Sequence, residues 1–499
     1  MLLIDVTIVN VALPDIQADL GAGLSSLQWV VDAYALTLAA FLLVAGSLGD
    51  RLGRKRVFSF GFILFTFASL LCGLAGTPTL LNLARGLQGI GAAAMFATTL
   101  ALIAQEFQGR DRATAFGVWG ATIGGAVAIG PLIGGLLTEG LGWEWIFFVN
   151  IPIGLAALVL TQIKLVNVAA SEQQPVDWLG LVAFSSGLFA LIYGLIRGNP
   201  EGWGSAPIVA SLSAAVLLMS AFVAIELRSP KAMLDLSLFR KPAFSGVSLV
   251  AFALSAGMFA MFLYMTLYLQ GVLALSPLET GLRFLPLTLL SFFVAPIAGR
   301  FSDRVPPRMA MGAGLGLVGL GLLLMGGLDV GGEWTALLPG FIVAGVGIGL
   351  VNPNIASTAV GVVSQARAGM ASGINSTFRQ VGIATGVAGL GAVFQARIES
   401  ELAALVPGAP GALTEAVAAG AGDQAIAQAP TGLRDQLSVA AEQAFVSGLN
   451  EILLIAGVLT LAGAVAGLLL VRGRDFVGQE LPVGVNPSPG AATTAGDAA

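Results

Sequence analysis

The chain has no histidine and a single cysteine, Cys72, in 499 residues. Without histidine the commonest metal ligand and the usual proton carrier near neutral pH are missing, so proton chemistry falls to carboxylates. One cysteine excludes an intramolecular disulfide framework. Charge is scarce too: 10% of residues are Asp, Glu, Lys or Arg and 56% are apolar, whereas an ordinary soluble domain is about 25% charged. The net charge of −5 argues against a nucleic-acid binder, which needs a basic face to neutralise phosphates. There is no G-x-x-x-x-G-K-[ST] phosphate loop and no polar segment long enough for a nucleotide domain. With no metal cluster or catalytic constellation in view, the expectation is a non-enzyme with no catalytic residue, metal or cofactor.

What the chain has in abundance is long apolar runs. A helix crosses a hydrocarbon core in roughly 20 residues. Fourteen runs fit, near 1–20, 29–49, 57–76, 79–104, 113–137, 145–164, 178–197, 206–226, 243–270, 281–299, 309–328, 335–362, 371–396 and 450–471. The expected fold is therefore an all-α polytopic membrane protein with the lipid bilayer as its main partner. The first run offers only about 14 residues before Asp15, so it either starts inside the helix or has its true start upstream. It lacks the basic region and cleavage site of a secretory signal.

Lys and Arg cluster in alternate loops: Arg51, Arg54, Lys55 and Arg56; Arg110 and Arg112; Lys164; Arg228, Lys231, Arg240 and Lys241; Arg300, Arg304 and Arg308; Arg367; and Arg472 and Arg474. Intervening loops are acidic or neutral, with Asp15, Asp19, Glu139, Glu144, Glu201, Asp329 and Glu333. The positive-inside rule then puts both termini in the cytoplasm. Residues 397–449 read as an external segment with amphipathic helix, and 476–499 as a disordered tail.

Gly46-Ser-Leu-Gly-Asp-Arg-Leu-Gly-Arg-Lys-Arg recurs loosely as Gly299-Arg-Phe-Ser-Asp-Arg-Val-Pro-Pro-Arg308, each after the second helix of a six-helix half. The expected organisation is an N-terminal bundle over 1–170, two inserted helices over 171–230 and a C-terminal bundle over 231–475. Repeated halves around a midplane site are a transporter signature.

These features resemble the Major Facilitator Superfamily, in particular its fourteen-helix drug:proton antiporters, over about residues 1–475. The first copy of the repeat is similar to the superfamily's G-x-L-A-D-R-x-G-R-K signature. By that resemblance Gly46, Asp50, Arg51, Gly53, Arg54 and Lys55 form a cytoplasmic gate, with Asp303 and Arg304 as the second copy. Positive-inside topology alone would account for the basic residues, though not for the aspartate or the glycine spacing. Leu81-Asn-Leu-Ala-Arg85-Gly-Leu-Gln88-Gly89-Ile-Gly91 is similar to the family's fourth-helix motif, whose arginine is implicated in proton transfer. The other reading of Arg85 is a side chain snorkelling to the helix end. Gly130-Pro131-Leu-Ile-Gly134-Gly135 with Gly117 is similar to the fifth-helix motif of antiporters, with Ala126 where glycine is frequent.

Asp5-Val-Thr7-Ile-Val-Asn10-Val-Ala12-Leu-Pro14 resembles the first-helix motif of the fourteen-helix branch. An intramembrane carboxylate is a functional hypothesis by default, so Asp5 is the first candidate for proton coupling. A position near the cytoplasmic interface is the alternative. Asp32 reads either as a second titrating group or as an outer-rim charge. Asn10, Gln88, Tyr264, Tyr268 and Arg379 are candidates for a substrate cavity, Gln270 beside them, and a structural role for Arg379 stands equally open. The resemblance implies a monomer in a bacterial inner membrane that exports amphiphilic or cationic small molecules against protons. A specific metabolite carrier on the same fold is the rival.

Overall fold

Lipid supplies no water to bond an unpaired amide, so each apolar run satisfies its own backbone by coiling. The computed structural model describes residues 1–21, 24–166, 177–229, 234–301, 304–407, 411–427, 430 and 433–476, and no strand occurs among them. The first half holds α1 (Leu2–Leu20), α2 (Leu24–Leu52), α3 (Arg54–Gly73), α4 (Pro78–Glu106) and α5 (Gly109–Leu141). The short α6 (Trp145–Phe148) then runs into α7 (Asn150–Lys164). Next come α8 (Trp178–Glu201) and α9 (Ala206–Arg228).

In the second half, α10 (Pro242–Leu254) and α11 (Ala260–Leu267) are joined by a π-helical turn at Ser255–Phe259, and a second such turn covers Tyr268–Val272. They are followed by α12 (Pro277–Phe301), α13 (Pro307–Leu324), α14 (Leu338–Gly361) and α15 (Ala368–Leu405). The short α16 (Gly411–Ala418) and α17 (Gly422–Ala427) precede α18 (Arg434–Leu470). Among the described residues twelve helical segments are long and apolar enough to cross a membrane. Adding α1 and α5 gives the expected array of about fourteen.

Local sequence sets the ends. Thr77 accepts a hydrogen bond from the Leu80 N–H at 3.3 Å, with Pro78 at the first helical position; both favour a start there. Asp177 caps α8 by accepting from the Gly180 N–H at 2.8 Å. Gly21, at φ 58°, closes α1 in the left-handed region.

The helices before and after the α8–α9 pair are termed the first and second bundles. In the first bundle α2 and α3 lie on α4, α7 on α3, and α1 on α5; in the second α13 lies on α14 and α18, and α10 on α15 and α18. The bundles meet along α2 against α15 and α5 against α12. The inserted α8 and α9 pack on each other, with the Phe184 and Phe222 rings 5.0 Å apart, and α8 leans on both α2 and α15. Outer faces stay apolar: Leu155, Val159, Leu160 and Ile163 on α7 and Val216, Leu217, Val223 and Leu227 on α9 are exposed. Apolar faces of this extent suit lipid.

Two boundaries differ from the sequence expectation. The thirteenth span runs on to Leu405 and the last begins at Arg434 rather than near 450. Both ends of 397–449 thus continue α15 and α18, with Ile398, Leu402 and Phe445 buried, and between them Leu413 and Val417 of α16 and Ile426 of α17 are buried as well. Polar residues on one face hid these turns from a search for unbroken apolar runs. The tail expected from 476 lies, beyond that residue, outside the described residues.

Candidate functional site

Asp5, Arg85 and Gln88, separated by up to 83 positions, converge inside the first bundle. Asp5 and Arg85 are 2% and 1% exposed, and Gln88 is fully buried. One Nη of Arg85 donates to Asp5 Oδ2 at 2.5 Å and to Gln88 Oε1 at 2.6 Å. Asp5 Oδ1 accepts from Gln88 Nε2 at 3.0 Å and from Asn150 Nδ2 at 3.1 Å. Gln88 Nε2 also donates to Ser69 Oγ at 2.8 Å, and Arg85 Nε donates to the Val30 carbonyl at 2.9 Å. Tyr34 lies under the guanidinium, its ring centroid 4.4 Å from Cζ. The network joins α1, α2, α3, α4 and α7 around one carboxylate. Neither the interface position for Asp5 nor the snorkelling position for Arg85 is what the structure shows.

Asn150, Ser69 and Tyr34 were not singled out from the sequence. Asn150 was findable, as the one amide side chain in the apolar run Trp145-Ile-Phe-Phe-Val-Asn-Ile. Ser69 and Tyr34 carry no such signal, since both residue types are common on helices.

A second constellation lies at the end of the fold rich in Lys and Arg. Asp50 Oδ1 accepts from Arg54 Nε and Nη2 at 3.1 and 2.9 Å. The same carboxylate accepts from the backbone N–H groups of Gly369 and Met370, at 2.9 and 2.8 Å, in the first turn of α15. A helix N-terminus carries unpaired amides and a partial positive charge, so a carboxylate is favoured there. Arg54 also donates to the carbonyls of Gln365 and Ala101. Lys55 Nζ donates to the carbonyls of Gln162 and Leu165 at the end of α7, at 3.0 and 2.8 Å.

Glycine permits the approach. A Cβ on Gly46 would overlap the Gly369 carbonyl oxygen, and one on Gly373 would stand 2.8 Å from the Leu42 carbonyl oxygen. Of the basic residues expected at this gate, Arg54 pairs with Asp50, while Arg51 is half-buried in the field of Glu226, Asp177 and Asp50. Gly53, at φ 100°, makes the turn between α2 and α3 that returns Arg54 to Asp50. In the second copy Arg304 lies over the Phe301 ring, and Asp303 is outside the described residues.

A family model described as Major Facilitator Superfamily matches residues 1–387. The chain belongs to the Major Facilitator Superfamily. It is 37% identical to the multidrug resistance protein Stp of Mycobacterium tuberculosis over 81% of this chain and 75% of that protein. It is 33% identical to the tetracenomycin C resistance and export protein of Streptomyces glaucescens over 97% and 92%. It is 37% identical to the probable actinorhodin transporter of Streptomyces coelicolor over 87% and 78%. Among solved structures, the proton:xylose symporter XylE shares the fold at a TM-score of 0.63 and 13% identity, covering 94% of this chain and 93% of that one.

Within the superfamily fold the remaining candidates fall as follows. Asp32 faces Arg197 of the inserted α8, Oδ2 to Nη1 at 3.8 Å, and Arg197 also donates to Glu201 at 2.7 Å. Arg197 was overlooked, although an arginine inside an apolar helix is itself a signal. Gly117 sits where α5 crosses α12, a Cβ there standing 2.8 Å from the Ala295 oxygen, whereas Gly135 faces open space. Gly130 and Gly134 are buried, and the side chains of Pro131 and Asn10 lie outside the described residues.

Tyr264 and Tyr268 are buried among packed side chains. The Tyr264 hydroxyl donates to the Val387 carbonyl at 2.6 Å and its ring meets Phe394, while Tyr268 stacks on Phe445. Gln270 is exposed. Arg379 is buried in the second bundle and donates to Asn352 Oδ1 at 3.0 Å.

Proposed function

We propose that this superfamily member is a proton-coupled antiporter that exports amphiphilic small molecules across a bacterial plasma membrane by alternating access. The observation that carries the coupling is the buried Asp5 carboxylate with three side-chain donors, Arg85, Gln88 and Asn150. Neutralising Asp5 with a proton would remove the charge on which all three donors converge, leaving Arg85 to find another partner. Because those donors stand on two helices, α4 and α7, and the carboxylate on a third, α1, the bundle has a reason to repack, and a proton can thereby bias one state over another. Resistance and export proteins among the relatives support the direction of transport.

In this reading the basic end is cytoplasmic, and the Asp50 cap on α15 holds that side shut. Release of the cap would let α2 and α15 part to admit substrate from the inner face. Efflux of a lipophilic dye from proteoliposomes under an imposed proton gradient tests the proposal. Gradient-dependent efflux that is lost in Asp5→Asn is the expected result. A wild-type protein that moves no amphiphile under any gradient would refute it and favour a carrier of one specific metabolite.

A further inference from the structure

Asp5, Asp32 and Asp50, the carboxylates of the first two helices' interior, each face an arginine. Arg379 has no such counterpart. It is 8% exposed, and Asn352 Oδ1 is the one hydrogen-bond acceptor it reaches among the described residues. Its Cζ lies 5.4 Å from the centre of the Phe259 ring, which supplies a π face but no countercharge. A guanidinium keeps its proton under all ordinary conditions, and a buried cation without an anion is costly.

The groups around it are themselves short of partners. The Nδ2 of Asn352, which points its oxygen at Arg379, donates to nothing, and neither does the Nδ2 of Asn375 one turn earlier on the same face of α15. The hydroxyl of Ser255 is likewise buried without a partner. Ser255 opens the π-helical turn that ends at Phe259, and the backbone of that turn comes close enough that a Cβ on Gly382 would stand 3.1 Å from Ser255 Cβ. π-Helical turns inside α-helices occur frequently at functional sites. Together these groups offer free N–H donors and one positive charge, with no ion pair to Arg379 among the described residues.

We propose that this cluster is a substrate subsite for an oxyanion, and that the exported amphiphiles carry a carboxylate or an ionised phenol or enol. The inference rests on the export reading and narrows it, since sequence alone left cationic compounds equally open. A cation entering the first bundle would have to displace Arg85 or Arg197 from its carboxylate. An oxyanion at Arg379 displaces no carboxylate from it, would accept from the guanidinium in the fork geometry that favours planar carboxylates, and would leave its apolar body against Phe259.

The test uses the full chain in lipid nanodiscs and three probes sharing one ring system: anthracene-9-carboxylate, 9-anthracenemethanol and (9-anthracenylmethyl)trimethylammonium. Energy transfer from the protein's tryptophans to anthracene reads binding. The carboxylate is expected to bind at least tenfold more tightly than either other probe. Arg379→Gln should erase that preference while leaving the alcohol's affinity within about twofold. Asn352→Asp, which places a carboxylate beside the guanidinium with almost no change of shape, should erase it equally and serves if Arg379→Gln fails to fold.

Equal affinities for the three probes, including no binding of any, would overturn the proposal. So would tighter binding of the ammonium compound, or an Asn352→Asp protein that still prefers the carboxylate. Gradient-driven efflux of the same probes separates this claim from the export reading. Carboxylate preference without efflux would keep the subsite and refute export, and efflux without that preference would do the reverse.

Discussion

Asp50 on α2 caps the first turn of α15 from 319 and 320 residues away, accepting from the Gly369 and Met370 amides at 2.9 and 2.8 Å. The contact crosses between the two bundles and includes Arg54, and the proposed gate rests on it. Hydrogen bonds to a charged group contribute about 1.5–3 kcal/mol each. Asp50→Asn should lower the population of the state closed at the basic end by ten- to a hundredfold. A distance measurement between spin labels on α2 and α15 near that end should show the shift, with export falling at least tenfold.

The buried pair of Asp5 and Arg85 should behave non-additively. Removing one partner of a buried ion pair leaves an uncompensated charge and costs about 3–5 kcal/mol, so Asp5→Asn should lower the thermal unfolding temperature markedly. Adding Arg85→Gln to that variant should recover part of the loss while transport stays abolished. Asp32→Asn, which weakens only a 3.8 Å contact at a partly exposed site, should cost under about 1 kcal/mol.

Gly117 and Gly135 give opposite expectations for one substitution. Alanine at 117 meets the Ala295 carbonyl oxygen and the Pro296 backbone, and overpacking of this kind costs about 1–3 kcal/mol. Alanine at 135 meets nothing within 4 Å. Gly117→Ala should reduce both stability and export, and Gly135→Ala should match the wild type in both.

Outside the membrane segments, Asp235 pairs with Arg367 at 2.5 Å, tying the stretch before α10 to the loop before α15. Burial pushes the Asp235 carboxyl up, but hydrogen bonds from Ser237 and Arg367 outweigh it and hold the group below its ordinary value. A carboxyl so lowered stabilises the fold above its unfolded pKa of about 3.9 and loses that effect as pH falls through the lower folded value. Both side chains are substantially exposed, so Arg367→Gln should cost no more than about 1 kcal/mol at pH 7. In unfolding measurements the difference from wild type should shrink as pH falls below the unfolded value and vanish below the lower folded one.

Much of this protein was legible before any coordinate was known. Length and apolar content gave about fourteen helices, because the bilayer thickness converts directly into residues per span. Asp5 and Arg85 stood out because charge inside an apolar run is rare enough to need a reason, and Gln88 and Asp50 through the motifs that hold them. The extensions of α15 to Leu405 and of α18 back to Arg434 escaped because helices that leave the hydrocarbon need no unbroken apolar run.

Sequence by itself determined the helical class, the basic and acidic ends and the glycine positions where backbones can touch, since each follows from the composition of one segment or its period. Only the tertiary structure decided that Asp5 pairs with Arg85, that Asp50 takes Arg54 and the start of α15 rather than Arg51, and that Tyr264 and Tyr268 pack in the core. It also decided that Arg379 pairs with no carboxylate among the described residues. A partner on another helix is chosen by how the two helices rotate and cross, which side-chain packing along their whole length sets, and no single segment carries that information.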